Sequence, residues 1–309
     1  MARLASGKAS RTARITAAMR HRHLLGGVRP LVFEDRFANL FVDLPSALAA
    51  LPTPLGDRAL GRLFGPVRGF EGEVLARSRY VEEALVPRLA AGLGQVVVLG
   101  AGFDSTALQH AQYPCRFFEV DHPATQAVKR AILRGQGGQG GQSGLGANIT
   151  FVPVDFASDD LADALLGAGF DAQRAALVSW LGVTMYLPQR VTVATLRQLR
   201  RILAAGSSVI FDAYPRREDT AAEDRALFAA ARWITGRQGE PMLGAFGRGV
   251  VRPARSVPVR DPGDDTRLAS DQHHRPQIVG RRAPRGVDGV AQALRQERQH
   301  RRLVGRDRK

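Results

Sequence analysis

Gln95-Val96-Val97-Val98-Leu99 runs directly into Gly100-Ala101-Gly102. A short, wholly apolar and mostly β-branched run fits a strand covered on both faces, which is the situation of strands in a parallel sheet. The glycines that end it let the backbone turn sharply and pass close to a neighbour. The same pattern then recurs. Strands are predicted over residues 95–99, 116–120, 148–154, 175–181 and 207–213. Helices are predicted from the first loop to about residue 112, then over 122–134, 161–166 and 189–203. In the last of these, Val193, Leu196, Leu199 and Leu203 share one face. Strands alternating with helices of this length imply crossover connections and an α/β, doubly wound, mostly parallel sheet.

Upstream, residues 33–51 and 70–93 read as helices. In the second, Val74, Leu75, Val81, Leu85 and Leu89 form one apolar stripe, and Pro52 and Pro54 separate the two. The expected organisation is a helical cap over residues 1–92, a ligand-binding α/β domain over 93–247, and a tail over 248–309. The run GQGGQGGQSGLG (135–146) reads as a linker between the second helix and third strand.

The chain has 309 residues, 44% apolar and 24% charged, which excludes wholesale disorder and fibrous architectures. One cysteine, Cys115, excludes a disulfide framework or a cysteine-based metal cluster, so no metal is expected. It suits a reducing compartment, and a cytoplasmic location is expected. No apolar run reaches the roughly 20 residues of a membrane-spanning helix, and no secretory signal is expected. The net charge of +15 is concentrated late. Residues 251–309 carry 15 basic against seven acidic side chains and no aromatic. Such a segment buries little and is expected to be disordered; without aromatic interleaving, nucleic acid is not its expected partner.

In an open α/β sheet, ligands bind beyond the carboxyl ends of the strands where strand order reverses. Gly100 and Gly102 stand there, with Ser105 in place of a third glycine and the acidic Asp104 just before it. A diphosphate would be opposed by Asp104. Asp121 lies about 20 residues on, where a carboxylate accepts both ribose hydroxyls. Asp155 can accept from an adenine amino group while Phe156 packs on the ring. Acids around an adenosine pocket with no phosphate clamp point to S-adenosyl-L-methionine, a sulfonium cation, rather than NAD. Each acid taken singly reads rather as a strand-end turn or helix cap; the glycine loop and the acids taken together point to a cofactor site.

RSRYVEEAL (77–85), VVVLGAGFDSTAL (96–108), FFEVDHPATQAVKR (117–130), ITFVPVDF (149–156) and SWLGVTMYL (179–187) occur in that order. Together they resemble the leucine carboxyl methyltransferase-like branch of class I methyltransferases. The resemblance implies a Rossmann-like core with an N-terminal helical cap and transfer of a methyl group from S-adenosyl-L-methionine to an oxygen, carboxylate or hydroxyl, of a small-molecule or carboxylate-bearing acceptor. It implies Asp121 on the ribose, Asp155 and Phe156 at the adenine, Gly100 and Gly102 along the methionine, and Arg77 on the methionine carboxylate. Ser10-Arg11-Thr12-Ala13 resembles the segment that closes over the cofactor. No catalytic base is identified: His122 is the nearest candidate but reads rather as a structurally bonded loop histidine, and Tyr186 either faces the sulfonium through its ring or packs over the pocket. The resemblance ends at GEPMLGAF (239–246), so the family's C-terminal strands are expected to be missing. A cofactor-binding remnant without turnover and an NAD(P)-dependent oxidoreductase stay open as alternatives.

Overall fold

The computed structural model describes residues 10–27, 29–43, 65–136, 146–237 and 240–247. The expected tail, most of the glycine-rich linker and the Pro52–Pro54 break lie outside them. Five strands form one sheet: β1 (Gln95–Leu99), β2 (Arg116–Asp121), β3 (Ile149–Pro153), β4 (Leu177–Trp180) and β5 (Ser208–Phe211). Their order is β3-β2-β1-β4-β5 and every pairing is parallel. The α/β, doubly wound expectation is met, and among the described residues the sheet ends at β5.

Helices α1 (Arg11–Gly26), α2 (Gly65–Ala90), α3 (Thr106–Gln109), α4 (Pro123–Gly135), α5 (Leu161–Gly167), α6 (Gln189–Ile202) and α7 (Arg225–Arg237) surround it. Alternation along the strands divides the core. On one face Val97, Leu99, Phe118, Val120, Val178 and Trp180 pack with Leu161 and Leu165 of α5 and Leu199 of α6. On the other, Val96, Val98, Phe117 and Leu177 pack with Leu85 and Leu89 of α2. Every residue of β1 is buried, as its unbroken apolar run requires.

Two expectations are corrected. Residues 33–43 form no long helix; they hold one 3-10 turn, Ala38–Phe41, whose Phe41 is fully buried. The predicted helix after β1 is a single turn, α3. In both places the apolar residues serve a third cluster, where Ala17 of α1, Phe41, Phe103, Leu108 and Leu133 meet. Contacts from three elements decide the backbone there, and local periodicity does not.

Candidate active site

With β1 central, the chain runs outward through β2 and β3 on one side and through β4 and β5 on the other. The crevice beyond β1 and β4 is therefore the switch point. Gly100 and Gly102 open it with φ of +62° and +47°, a region that side chains other than glycine enter at a cost. A Cβ on Gly100 would stand 2.2 Å from Val183 Cγ2, just past β4. The two glycines thus make the turn and let it close on its neighbour.

Asp121, half-buried at the end of β2, ties this loop down. Its Oδ2 accepts from the Gly102 N–H at 2.5 Å and its Oδ1 from the His122 N–H at 2.6 Å. Burial pushes its pKa up, against the pull of those two bonds. Each oxygen keeps a lone pair for a further donor. Asp104 is committed elsewhere: its Oδ1 accepts from the Thr106 N–H at 2.8 Å, across the first turn of α3. His122 caps α4, its Nδ1 accepting from the Ala124 N–H at 3.2 Å.

Arg77 reaches the same crevice from α2. Its Nη1 lies 3.1 Å from Asp212 Oδ2 and 3.6 Å from Glu73 Oε1. Asp212 Oδ2 also accepts from the Gly182 N–H at 2.8 Å, so one carboxylate past β5 joins Arg77 to the turn after β4. Gly182 has φ +72°, and a Cβ there would stand 2.7 Å from Arg77 Nη2. Burial works against the Arg77 charge, but the Asp212 and Glu73 carboxylates outweigh it and hold the guanidinium protonated above its ordinary range. Burial raises the pKa of both carboxyls. The Tyr214 hydroxyl donates to Glu73 Oε1, and Asp212 Oδ1, buried, has no hydrogen-bond partner among the described residues.

The N-terminal helix covers the loop. Ser10 caps α1, accepting from the Ala13 N–H, and Ala13 Cβ would lie 3.0 Å from a Cβ placed on Gly102. Thr12 hydrogen-bonds the Tyr186 side chain, whose pKa burial pushes up to about 12.

The sequence-derived residues are thus distributed unevenly. Gly100, Gly102 and Asp121 are in direct contact or in one loop, and Arg77 lies against Gly182, the neighbour of the Val183 that meets Gly100. Asp155 is exposed and bonds within its own turn: its Oδ1 accepts from the Ala157 N–H at 2.9 Å. Backbone links it to the site, since Val154 N–H donates to Asp121 O at 3.0 Å. Phe156 lies against Trp180 at the end of β4, ring centroids 5.9 Å apart. Gly182 was expected among the strand-end residues after strand four; Asp212 and Glu73 were not anticipated. Asp212 stands just past β5 as Asp121 stands at the end of β2, but the expected fifth strand, 207–213, enclosed it.

Residues 13–200, more than half of the chain, match the family described as leucine carboxyl methyltransferase. Curated relatives share the name "Putative S-adenosyl-L-methionine-dependent methyltransferase". YktD of Bacillus subtilis is 32% identical over 180 residues, which are 56% of this chain and 55% of that protein. SCO6443 of Streptomyces coelicolor is 31% identical over 236 residues, 74% of this chain and 73% of that protein. The chain spans about half the length of the first relative and nearly three quarters of the second. Among solved structures, an O-methyltransferase family protein from Burkholderia thailandensis is 15% identical, covers 56% of this chain and 50% of its own, and superposes with a TM-score of 0.37. Matched over more than half its residues, the chain belongs to the leucine carboxyl methyltransferase family.

Proposed function

We propose that the chain is an S-adenosyl-L-methionine-dependent methyltransferase that methylates an oxygen, carboxylate or hydroxyl, of its acceptor. The observation that carries this reading is the loop after β1, closed at Gly102 by a strand-end carboxylate that retains two free lone pairs, with a half-buried arginine at the adjoining turn after β4.

The residues fit the cofactor group by group. Asp121 would accept from the two ribose hydroxyls with the lone pairs that Gly102 and His122 leave free. Arg77, with Nη2 directed at the Gly182 turn, would meet the methionine carboxylate. Phe156 would pack on the adenine, with Asp155 turned to its amino group. Asp104 occupies the α3 terminus with its own carboxylate, where a dinucleotide would place its pyrophosphate.

When bound, the cofactor supplies the methyl group and the leaving group. The protein's part is orientation, an effect that reaches roughly 7–11 kcal/mol for well-placed reactants. Its side chains suit an acceptor that is already nucleophilic. His122 spends Nδ1 on the α4 cap, and Tyr186 keeps its proton at neutral pH. A carboxylate needs neither as a base; a hydroxyl would draw on one. A small-molecule or carboxylate-bearing acceptor follows.

Calorimetric titration of the full chain with S-adenosyl-L-methionine and, separately, with NAD tests the assignment. Binding of the first at one equivalent per chain, with no heat from the second, is expected. Preference for NAD would overturn it in favour of an oxidoreductase.

A further inference from the structure

We propose that two buried ion pairs, Arg20–Asp35 and Lys129–Glu119, are positioning devices that clamp consecutive carbonyls of the cofactor loop, so that ligand affinity depends on them. The inference rests on the S-adenosyl reading of the site.

Arg20 of α1 donates from Nη2 to Phe103 O at 2.7 Å, and Lys129 of α4 from Nζ to Asp104 O at 2.5 Å. Each cation has its own carboxylate: Arg20 Nε to Asp35 Oδ2 at 2.7 Å, and Lys129 Nζ to Glu119 Oε2 at 2.7 Å. All four side chains are buried, Lys129 and Glu119 to 1% exposure. The clamps come from different elements, one from α1 and one from α4.

Stability does not account for them. A buried ion pair is often no better than apolar residues of the same volume, because desolvation offsets the attraction. Packing already fixes the Phe103 side chain: its ring stacks on Phe41 at 5.4 Å, and Arg14 lies 5.2 Å from it. The Phe103–Asp104 peptide follows two glycines, the most permissive residues in the chain; its N–H donates to Ala101 O at 2.7 Å, and the two cations hold the carbonyl side of that peptide and of the next. Those peptide planes decide where the loop's amides face the ligand. A cation on each of two successive carbonyls adds a second restraint on the loop, and a carboxylate behind each cation neutralises it.

The test replaces each pair by apolar residues of similar size, as Lys129→Met with Glu119→Leu and, separately, Arg20→Met with Asp35→Leu. Three quantities are read: thermal midpoint, amide hydrogen exchange of residues 101–105 in the ligand-free chain, and affinity for S-adenosylhomocysteine. The expected result is a midpoint unchanged or raised, loop exchange at least tenfold faster, and affinity at least tenfold weaker. Unchanged loop exchange overturns the proposal, as does loss of the fold in both paired variants, which would make the pairs structural. Faster exchange with undiminished affinity overturns it too. A wild-type chain that binds no S-adenosylhomocysteine refutes the cofactor reading itself and, with it, the dependence of affinity on the clamps; loop exchange then reports separately whether the pairs hold the loop.

Discussion

Gly182 shows how much of the site turns on single residues. At φ +72°, a side chain would cost about 1–2 kcal/mol in backbone strain, and its Cβ would press on the Arg77 guanidinium. Gly182→Ala is therefore expected to lower stability by roughly that amount and to weaken S-adenosylhomocysteine binding at least tenfold, read by urea denaturation and calorimetry. Arg77→Met should be worse for the protein than its own lost contacts imply. It leaves Asp212 and Glu73 buried without their cation, a loss of about 3–5 kcal/mol for a broken buried pair; a midpoint that does not move would contradict the network. At this scale the sequence is readable where chemistry is local. Gly100, Gly102 and Asp121 announce themselves by following strands. Arg77 came through family resemblance, because on α2 it looks like any helix charge. Its partners, Glu73 aside, lie more than 100 residues away in the chain, and no local pattern links Arg77 to Asp212.

Elements were legible in proportion to how regularly they bury apolar residues. All five strands and helices α4, α5 and α6 follow the predicted spans closely, because each lays one face or both on the sheet. Helix α1 was missed. Its buried positions include Thr12, Ala17, Ala18, Met19 and Arg20, all but Met19 small or polar, which gives no stripe to read. Helix α2 was anticipated from its stripe, and Leu85, fully buried, anchors it to β1. Leu85→Ala should cost about 2–5 kcal/mol by chemical denaturation. Strand β2 carries a pH-dependent term. Burial pushes Glu119 up to about 7, with Lys129 opposing and Asp104 and Asp121 adding to the rise. A carboxyl raised on folding binds more protons in the native state, so its contribution is full below its unfolded range, near pH 4, and is lost as pH rises through about 7. Stability of the wild type should accordingly fall over that window by a component that Glu119→Gln removes; an identical pH profile in the variant would contradict the assignment.

For the molecule as a whole, the cap and the sheet are one device for holding a loop. Phe103 belongs to the cap's apolar cluster, Gly102 to the β2 carboxylate, and Phe103 O and Asp104 O to cations from α1 and α4. The fold class was readable from alternating periods alone. Resemblance at Ser10–Ala13 pointed to a segment closing over the cofactor, but the contacts that seat α1 on the loop were not readable, since they join residues about 80 to 170 positions apart. The central claim is that Asp121 holds a ribose at this loop. Its most direct test is a crystal structure of the full chain with S-adenosylhomocysteine. The predicted result places both ribose hydroxyls within about 2.5–2.9 Å of the Asp121 carboxylate, as charge-assisted bonds require, with the amino-acid end toward Arg77. A nucleoside bound elsewhere, or an Asp121 bonded only to Gly102 and His122 beside a bound ligand, would contradict it.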